Sequence, residues 1–258
     1  MTKKTAITTI LRGVRHIAAG AVLAFGVWGA NAATFEEGSE AYRKGDYAAA
    51  LAIWEPLADA GDPNAQYAAG YLHQNGLGTE ENTTRAALLY DDAARQGDRD
   101  AQYALGMLLQ FGDGVPQDFP RAMAWFKKAT EGEPPNADAE FAVARLYFRG
   151  LGGPRDFTKA LEWLQRAAEH KNPAAYYLLA SCYDTGIGIA EDKVKAYYYY
   201  TLAWRAGTKV VQAYDSSYMP EDALVQLKAG MTKSQIAEAE KLLKTGITRP
   251  SSKGARSK

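Results

Sequence analysis

The stretch from Ala101 to Ala129 is copied along the chain, and this recurrence limits the fold more than any single residue does. Matching copies run from Ala65 to Ala93, Ala139 to Ala167 and Ala175 to Ala203, their starts stepping by 36, 38 and 36 residues. Glu133-Pro-Pro-Asn136 absorbs the longer step. Within one copy, Ala101, Leu105, Leu108 and Leu109 follow the i, i+3, i+4 spacing of an apolar helical face, and Ala122, Trp125, Phe126 and Ala129 do so again. Gly112-Asp-Gly114-Val-Pro116 lies between them and cannot continue a helix, so each copy reads as a helical hairpin. One such hairpin cannot bury its own stripe, and stacked neighbours of the same kind bury it together. The expected fold class is therefore all-α, an α-solenoid of helix-turn-helix repeats.

Reading the copies in register assigns a packing reason to each column. Paired turn glycines recur as Gly76 and Gly78, Gly112 and Gly114, Gly150 and Gly152, Gly186 and Gly188. Small residues at Gly70, Gly106, Ala144 and Ala180 are expected to let the two helices of a hairpin approach closely. Leu72, Leu108, Leu146 and Cys182 share one core position, which makes the only cysteine a buried small hydrophobe rather than a reactive thiol. Trp125, Trp163 and Tyr199 take the place of Leu89 and are expected to form the core between repeats. A shorter relative upstream, within 34–61, carries Gly38, Ala41-Tyr42, Gly45-Asp46-Tyr47, Ala50 and Trp54, and reads as an N-terminal capping hairpin.

Those last residues match the tetratricopeptide pattern. Ala-Gln-x-x-Leu-Gly at 101–106, Gly-x-Gly-Val at 112–115, Asp118, Ala122-x-x-Trp125 and Lys128-Ala129 resemble the Sel-one-like repeat (SLR) family, a tetratricopeptide-related group of helix-turn-helix units. The resemblance implies a right-handed α-solenoid in which the first helix of each hairpin lines a concave face. Its groove positions fall on Tyr67, Tyr103, Phe141 and Tyr177, then on Tyr71, Met107, Arg145 and Ser181, then on Gln74, Gln110, Phe148 and Asp184. Tyr67, Tyr71, Tyr103, Met107, Phe141, Arg145, Phe148, Arg149 and Tyr177 are thus the candidate partner-binding residues, aromatic, Met and Arg being the types enriched at interface hot spots. A ladder of rings could stack on an extended peptide or a partner helix, or the rings could be partly buried between repeats; both readings stay open here. Arg145 and Arg149, one turn apart, suit a ligand carboxylate or a neighbouring acid such as Asp184.

The first 33 residues combine Lys3, Lys4, Arg12 and Arg15 without an acid, an apolar run from Ile17 to Trp28, and Ala30-Asn31-Ala32 as an A-x-A site. They read as a signal peptide (1–33) cleaved after Ala32 or Ala33, and the run is short for a bilayer span. The expectation is a periplasmic protein with no stable membrane insertion after cleavage, further secretion being left open. Four repeats fill 62–207. A helical cap follows at 208–247, with short helices near 209–214 and 221–228 and a capping box, Thr232-Lys-Ser-Gln235, opening a third. Residues 248–258, rich in Ser and Lys and without periodicity, are expected to be a disordered tail.

Beyond residue 33 there are 26 basic against 30 acidic residues, which leaves no basic field for nucleic acid. His73 and His170 sit at non-equivalent repeat positions and are expected at the surface or in the groove, and no metal-ligand spacing occurs. Lys244-Thr-Gly246 copies a tripeptide of penicillin-recognising enzymes, but no serine is followed three places later by lysine, and Gly246 reads better as a helix C-cap. The expected function is a non-catalytic adaptor or scaffold for a protein or peptide partner, with no cofactor and no metal. The alternatives, a periplasmic negative regulator of an envelope signalling system and a cell-wall or β-lactam enzyme, rest on family analogy.

Overall fold

A computed structural model describes residues 34–246; the signal peptide expected at 1–33 and the tail expected at 248–258 lie outside them. The described residues form thirteen helices and no strand. They divide into two compact units, 34–156 and 157–246. The first holds α1 (Phe35–Arg43), α2 (Tyr47–Asp59), α3 (Pro63–Asn75), α4 (Thr83–Arg95), α5 (Arg99–Phe111), α6 (Phe119–Ala129) and α7 (Ala137–Arg149). The second holds α8 (Phe157–Glu169), α9 (Pro173–Thr185), α10 (Lys193–Ala206), α11 (Thr208–Gln212), α12 (Pro220–Ala229) and α13 (Lys233–Thr245). In the first unit α1 with α2, α3 with α4 and α5 with α6 are hairpins, and each packs on the next helix in the chain. In the second, α9 packs on α8 and α10, and α10 also carries α11, α12 and α13.

Capping sets where these helices begin. Asp62, Asp98, Asn136 and Asn172 accept from the backbone N–H of Ala65, Ala101, Ala139 and Ala175, so each first helix starts two residues before its apolar stripe. Asn82, Asp118 and Asp192 open second helices the same way. The first helices end at Gly76, Gly112, Gly150 and Gly186, whose φ values of 61° to 70° suit glycine best. The carbonyls of His73, Leu109, Tyr147 and Tyr183 then accept from the N–H of Asn82, Asp118, Asp156 and Asp192 at 2.8, 2.9, 3.1 and 2.8 Å, which closes each turn.

Close approach explains the small mid-helix residues. A Cβ on Gly38 would lie 2.3 Å from Nε1 of Trp54, one on Gly70 2.8 Å from the ring of Tyr90, and one on Gly106 2.6 Å from the ring of Phe126. Trp54 also donates its indole N–H to the Phe35 carbonyl at 3.1 Å. The core ring is therefore one position later than the sequence suggested. Tyr90 and Phe126 are 1% and 0% exposed, whereas Trp125 and Trp163 are only half-buried. The Lys128 and Arg166 cations, one turn on, stand 4.4 and 4.2 Å from those indole rings, which caps them at the surface rather than between repeats. Tyr199 is likewise half-buried, and Tyr200 takes the core place.

The second glycine of each turn is a contact between repeats. A Cβ on Gly78, Gly114 or Gly152 would lie 2.4, 2.4 or 2.7 Å from backbone atoms of Ala48, Thr83 or Phe119, where the preceding hairpin's second helix begins. Gln66 and Gln102 add a second tie, donating from their side chains to the carbonyls of Ala58 and Ala94. This explains the Ala-Gln of the repeated motif. Cys182 is 1% exposed, as its leucine column implied. The capping box at Thr232 and Gln235 forms, and Gly246 ends α13, so Lys244-Thr-Gly246 is a helix terminus.

Two expectations follow for stability. Gly106→Ala should destabilise by about 1 kcal/mol, the overpacking against Phe126 outweighing the helix-propensity gain. In a Phe126→Leu background the same change should cost less or stabilise, since the leucine frees space at the ring edge; urea midpoints that simply add would refute the close-approach reading. Burial pushes the Asp98 carboxyl up to about 6. The folded chain then binds that proton more tightly than the unfolded one, so the ionised group weakens the fold at neutral pH and the loss fades as pH falls from about 6 to about 4. Asp98→Asn keeps the cap acceptor, and should raise Tm at pH 7.5 but hardly change it at pH 4.

Candidate functional site

The first helices of the unit 34–156, α3, α5 and α7, carry most of the residues singled out from the sequence. Tyr67 on α3 and Tyr103 on α5 are half-buried and hold equivalent repeat positions. Each ring leans on the aromatic that fills the glycine notch of its hairpin, Tyr67 with its centroid 5.7 Å from Tyr90 and Tyr103 with its centroid 5.6 Å from Phe126. Met107, one turn after Tyr103, is also half-buried. Tyr103, Met107 and Asp100 share one face of α5, by their i, i+3, i+7 spacing.

Two candidates belong to the core instead. Phe141 is 2% exposed, because at this level α7 is buried nearly all round, and the Arg145 guanidinium stands 5.8 Å from its ring. Tyr71 is 7% exposed and meets Tyr42 edge-on at 6.4 Å, so it fastens the N-terminal hairpin. Phe148 is half-buried and Arg149 exposed on the last turn of α7. Tyr177, in the unit 157–246, is likewise half-buried and packs on its own chain: Tyr218 stacks on it at 4.4 Å and Tyr200 meets it edge-on at 5.3 Å. Tyr218 is itself 9% exposed. The segment after α11 turns back at Asp215, whose carbonyl accepts from the Tyr218 N–H at 3.0 Å, and this brings the ring over Tyr177.

Electrostatics distinguish the Tyr67–Tyr103 region. Burial, followed by Tyr90 and then by the carboxylates of Asp100 and Asp98, holds the Tyr67 hydroxyl well above its ordinary pKa. Burial and Asp138 do the same to Tyr103, with Arg145 opposing them. Both hydroxyls therefore stay protonated and can donate. Asp98 and Asp100 are pushed up by burial, although Asp100 keeps open contact with solvent. Flat rings, hydroxyl donors and carboxylate acceptors together can stack on and hydrogen-bond a partner.

The ionisable groups elsewhere are engaged in structure. His73, expected at the surface or in the groove, is 9% exposed, and its Nε2 lies 2.8 Å from Oε1 of Glu55. Arg85 lies 4.0 Å from the same oxygen and 3.2 Å from Asp59. Burial pushes the Cys182 thiol up to about 11, far from a reactive thiolate. His170 is exposed at the end of α8. Among the described residues no three His, Cys, Asp or Glu side chains gather as metal ligands, and no helix is long and apolar enough to cross a membrane. Sequence reasoning missed Asp98, Asp100 and Tyr218. Asp98 was readable as one column with Asp62, Asn136 and Asn172, whereas Tyr218 follows the last repeat and has no column.

Comparison with known proteins supplies the family. The Sel1 repeat matches residues 63–98, 99–133, 137–172 and 173–207, more than half of the chain. Each match opens where α3, α5, α7 or α9 opens. Among solved structures, the chain is similar to a Sel1 repeat protein from Oxalobacter formigenes, at 29% identity and a TM-score of 0.61, over 81% of this chain and 85% of that one. It shares its fold with c5321, a protective antigen of uropathogenic Escherichia coli displaying an SLR fold, at 22% identity and a TM-score of 0.50. That likeness covers 82% of this chain and 52% of the antigen. No curated protein matches the chain. With four consecutive matches in register with its helical hairpins, the chain belongs to the Sel1 repeat family, and its fold class is the all-α helix-turn-helix solenoid.

Proposed function

We propose that the chain is an exported, non-catalytic adaptor that holds a protein or peptide partner in the periplasm against the first helices of its repeats. Sel1 repeats serve as protein-interaction scaffolds, which supports the general class. The observation that carries the finer reading is the recurrence of a half-buried, partly reachable ring one repeat apart, Tyr67 on Tyr90 and Tyr103 on Phe126. Rings held in this way lose little further freedom when a partner settles on them, so stacking contributes more net affinity than it would from loose side chains. Phe141 and Tyr71 support that face from within, and Tyr218 takes up Tyr177. The basic start, apolar run and Ala30-Asn31-Ala32 support export.

Two measurements test this. The exported chain should begin at Ala33 or Thr34 by intact mass; a periplasmic product that retains Met1 would contradict cleavage. The chain used as bait in its native envelope fraction should capture a protein that Tyr103→Ala with Met107→Ala loses by about tenfold, a loss expected for a central interface pair. Trp125→Ala, on a second helix, should retain it. Capture that is equal for all three baits would exclude the first-helix face.

A further inference from the structure

We propose that the C-terminal end of the chain, residues 204–258, docks on the surface of a bilayer rich in anionic lipid, Trp204 and Val210 entering the headgroup region and the cations around them lying over the phosphates. This concerns a different part of the molecule from the first-helix face and does not depend on it. Trp204 and Val210 are each nearly half exposed. They flank the bend at Gly207, over which Val210 leans, since a Cβ on that glycine would lie 3.7 Å from Cγ2 of Val210. Arg205 and Lys209, next to them in sequence, are exposed as well. Gln212 holds the thioether of Met219, another exposed apolar side chain, at the end of α11 with a contact of 2.9 Å.

The near-even charge of the whole chain conceals a division. Residues 34–156 hold 20 acidic against 11 basic side chains, whereas residues 204–258 hold 5 acidic against 10 basic. Part of that basic charge is carried toward the bend by α13. The Lys193 ammonium donates to the Gly230 carbonyl at 3.3 Å, so α13 starts beside the first turn of α10. Met231, just before α13, and Leu243, in its last turn, both pack on the cluster that holds Tyr197 and Tyr200. The helix therefore runs along α10 toward the Trp204 end, with Lys241 and Lys244 exposed and Ala239 buried on its other side. Beyond Gly246 the sequence adds Arg249, Lys253, Arg256 and Lys258 without an acid. An indole and an aliphatic side chain among cations match a surface that offers acyl chains and phosphates together. The ring gains by leaving water at headgroup level, and each cation gains from the negative surface potential. A soluble polyanion would engage the cations but leave Trp204 and Val210 in water. No described helix is long and apolar enough to cross a membrane, so this end lies on the bilayer rather than through it. The same potential repels the acidic unit 34–156.

The test uses residues 34–258, which contain every described helix, so that the apolar run from Ile17 to Trp28 cannot carry the binding. Vesicles of phosphatidylglycerol are compared with vesicles of phosphatidylcholine by co-sedimentation and by tryptophan emission, at low and high salt. The chain should bind phosphatidylglycerol at least about tenfold more tightly, less so at high salt, and with a blue shift of the emission. Trp204→Ser with Val210→Ser, both at exposed positions, should remove the shift and weaken binding by about tenfold. Lys241→Gln with Lys244→Gln, combined with a stop after Gly246, should weaken it by at least about tenfold without lowering Tm. Arg43→Gln with Lys44→Gln, exposed cations at the end of α1, should preserve both binding and shift. Equal binding to the two lipids, no binding by the unaltered chain, full retention in either of the first two variants, or equal loss in the third would overturn the proposal. Self-association that Trp204→Ser with Val210→Ser removes would put a second copy on these side chains, and overturns it too.

Discussion

Each hairpin of the unit 34–156 is closed by an aromatic ring laid on a stretch of helix that has no side chain. Trp54 rests on Gly38, Tyr90 on Gly70 and Phe126 on Gly106. A glycine inside a helix costs about 1 kcal/mol relative to alanine, while full burial of a large ring contributes about 2–3 kcal/mol, so the exchange favours the pair. It also sets how near the two helices stand, and hence where the neighbouring rings of Tyr67 and Tyr103 are held. The partner face is thus a consequence of the core rather than an addition to it.

The same economy of side chains joins one hairpin to the next. Gly78, Gly114 and Gly152 let a turn touch the backbone where the preceding hairpin's second helix starts, and a larger residue would push the hairpins apart. Gln66 and Gln102 donate from the next hairpin to carbonyls at the ends of α2 and α4, which also accept from the backbone N–H of Gly61 and Gly97. Because these ties recur, the first helices keep one spacing through the unit. The departures then carry meaning. Asp98, whose carboxyl burial pushes up to about 6, weakens the fold at neutral pH through its ionised form, and it opens the helix that carries Tyr103. Local conflict with stability on a face of this kind fits a binding role better than a packing role.

Much of this could be read before any coordinates. The 36-residue period, the turn glycines, the small residues at 70 and 106 and the leucine-like setting of Cys182 all follow from comparing columns. The error over Trp125 and Trp163 has a simple cause. Adjacent positions of a helix differ by about 100°, so both residues of Trp125-Phe126 fit an apolar stripe of ordinary width, and the Lys128 cation decided which ring stayed at the surface. The pairing that engages His73 was not legible because its partner, Glu55, is 18 residues away in a hairpin with a different turn length. The stacking of Tyr218 on Tyr177 was not legible, because the segment that carries Tyr218 has no repeat to align with.

Sequence alone determined the helical hairpins, their period, their turns and the columns that pack, since each is a local or periodic property that every copy states again. Only the tertiary structure decided which rings a partner can reach. It buried Phe141 and Tyr71, stacked Tyr218 on a half-buried Tyr177, and left Tyr67 and Tyr103 half-buried. Exposure depends on what other segments do with the same space, and no single column of a repeat contains that information.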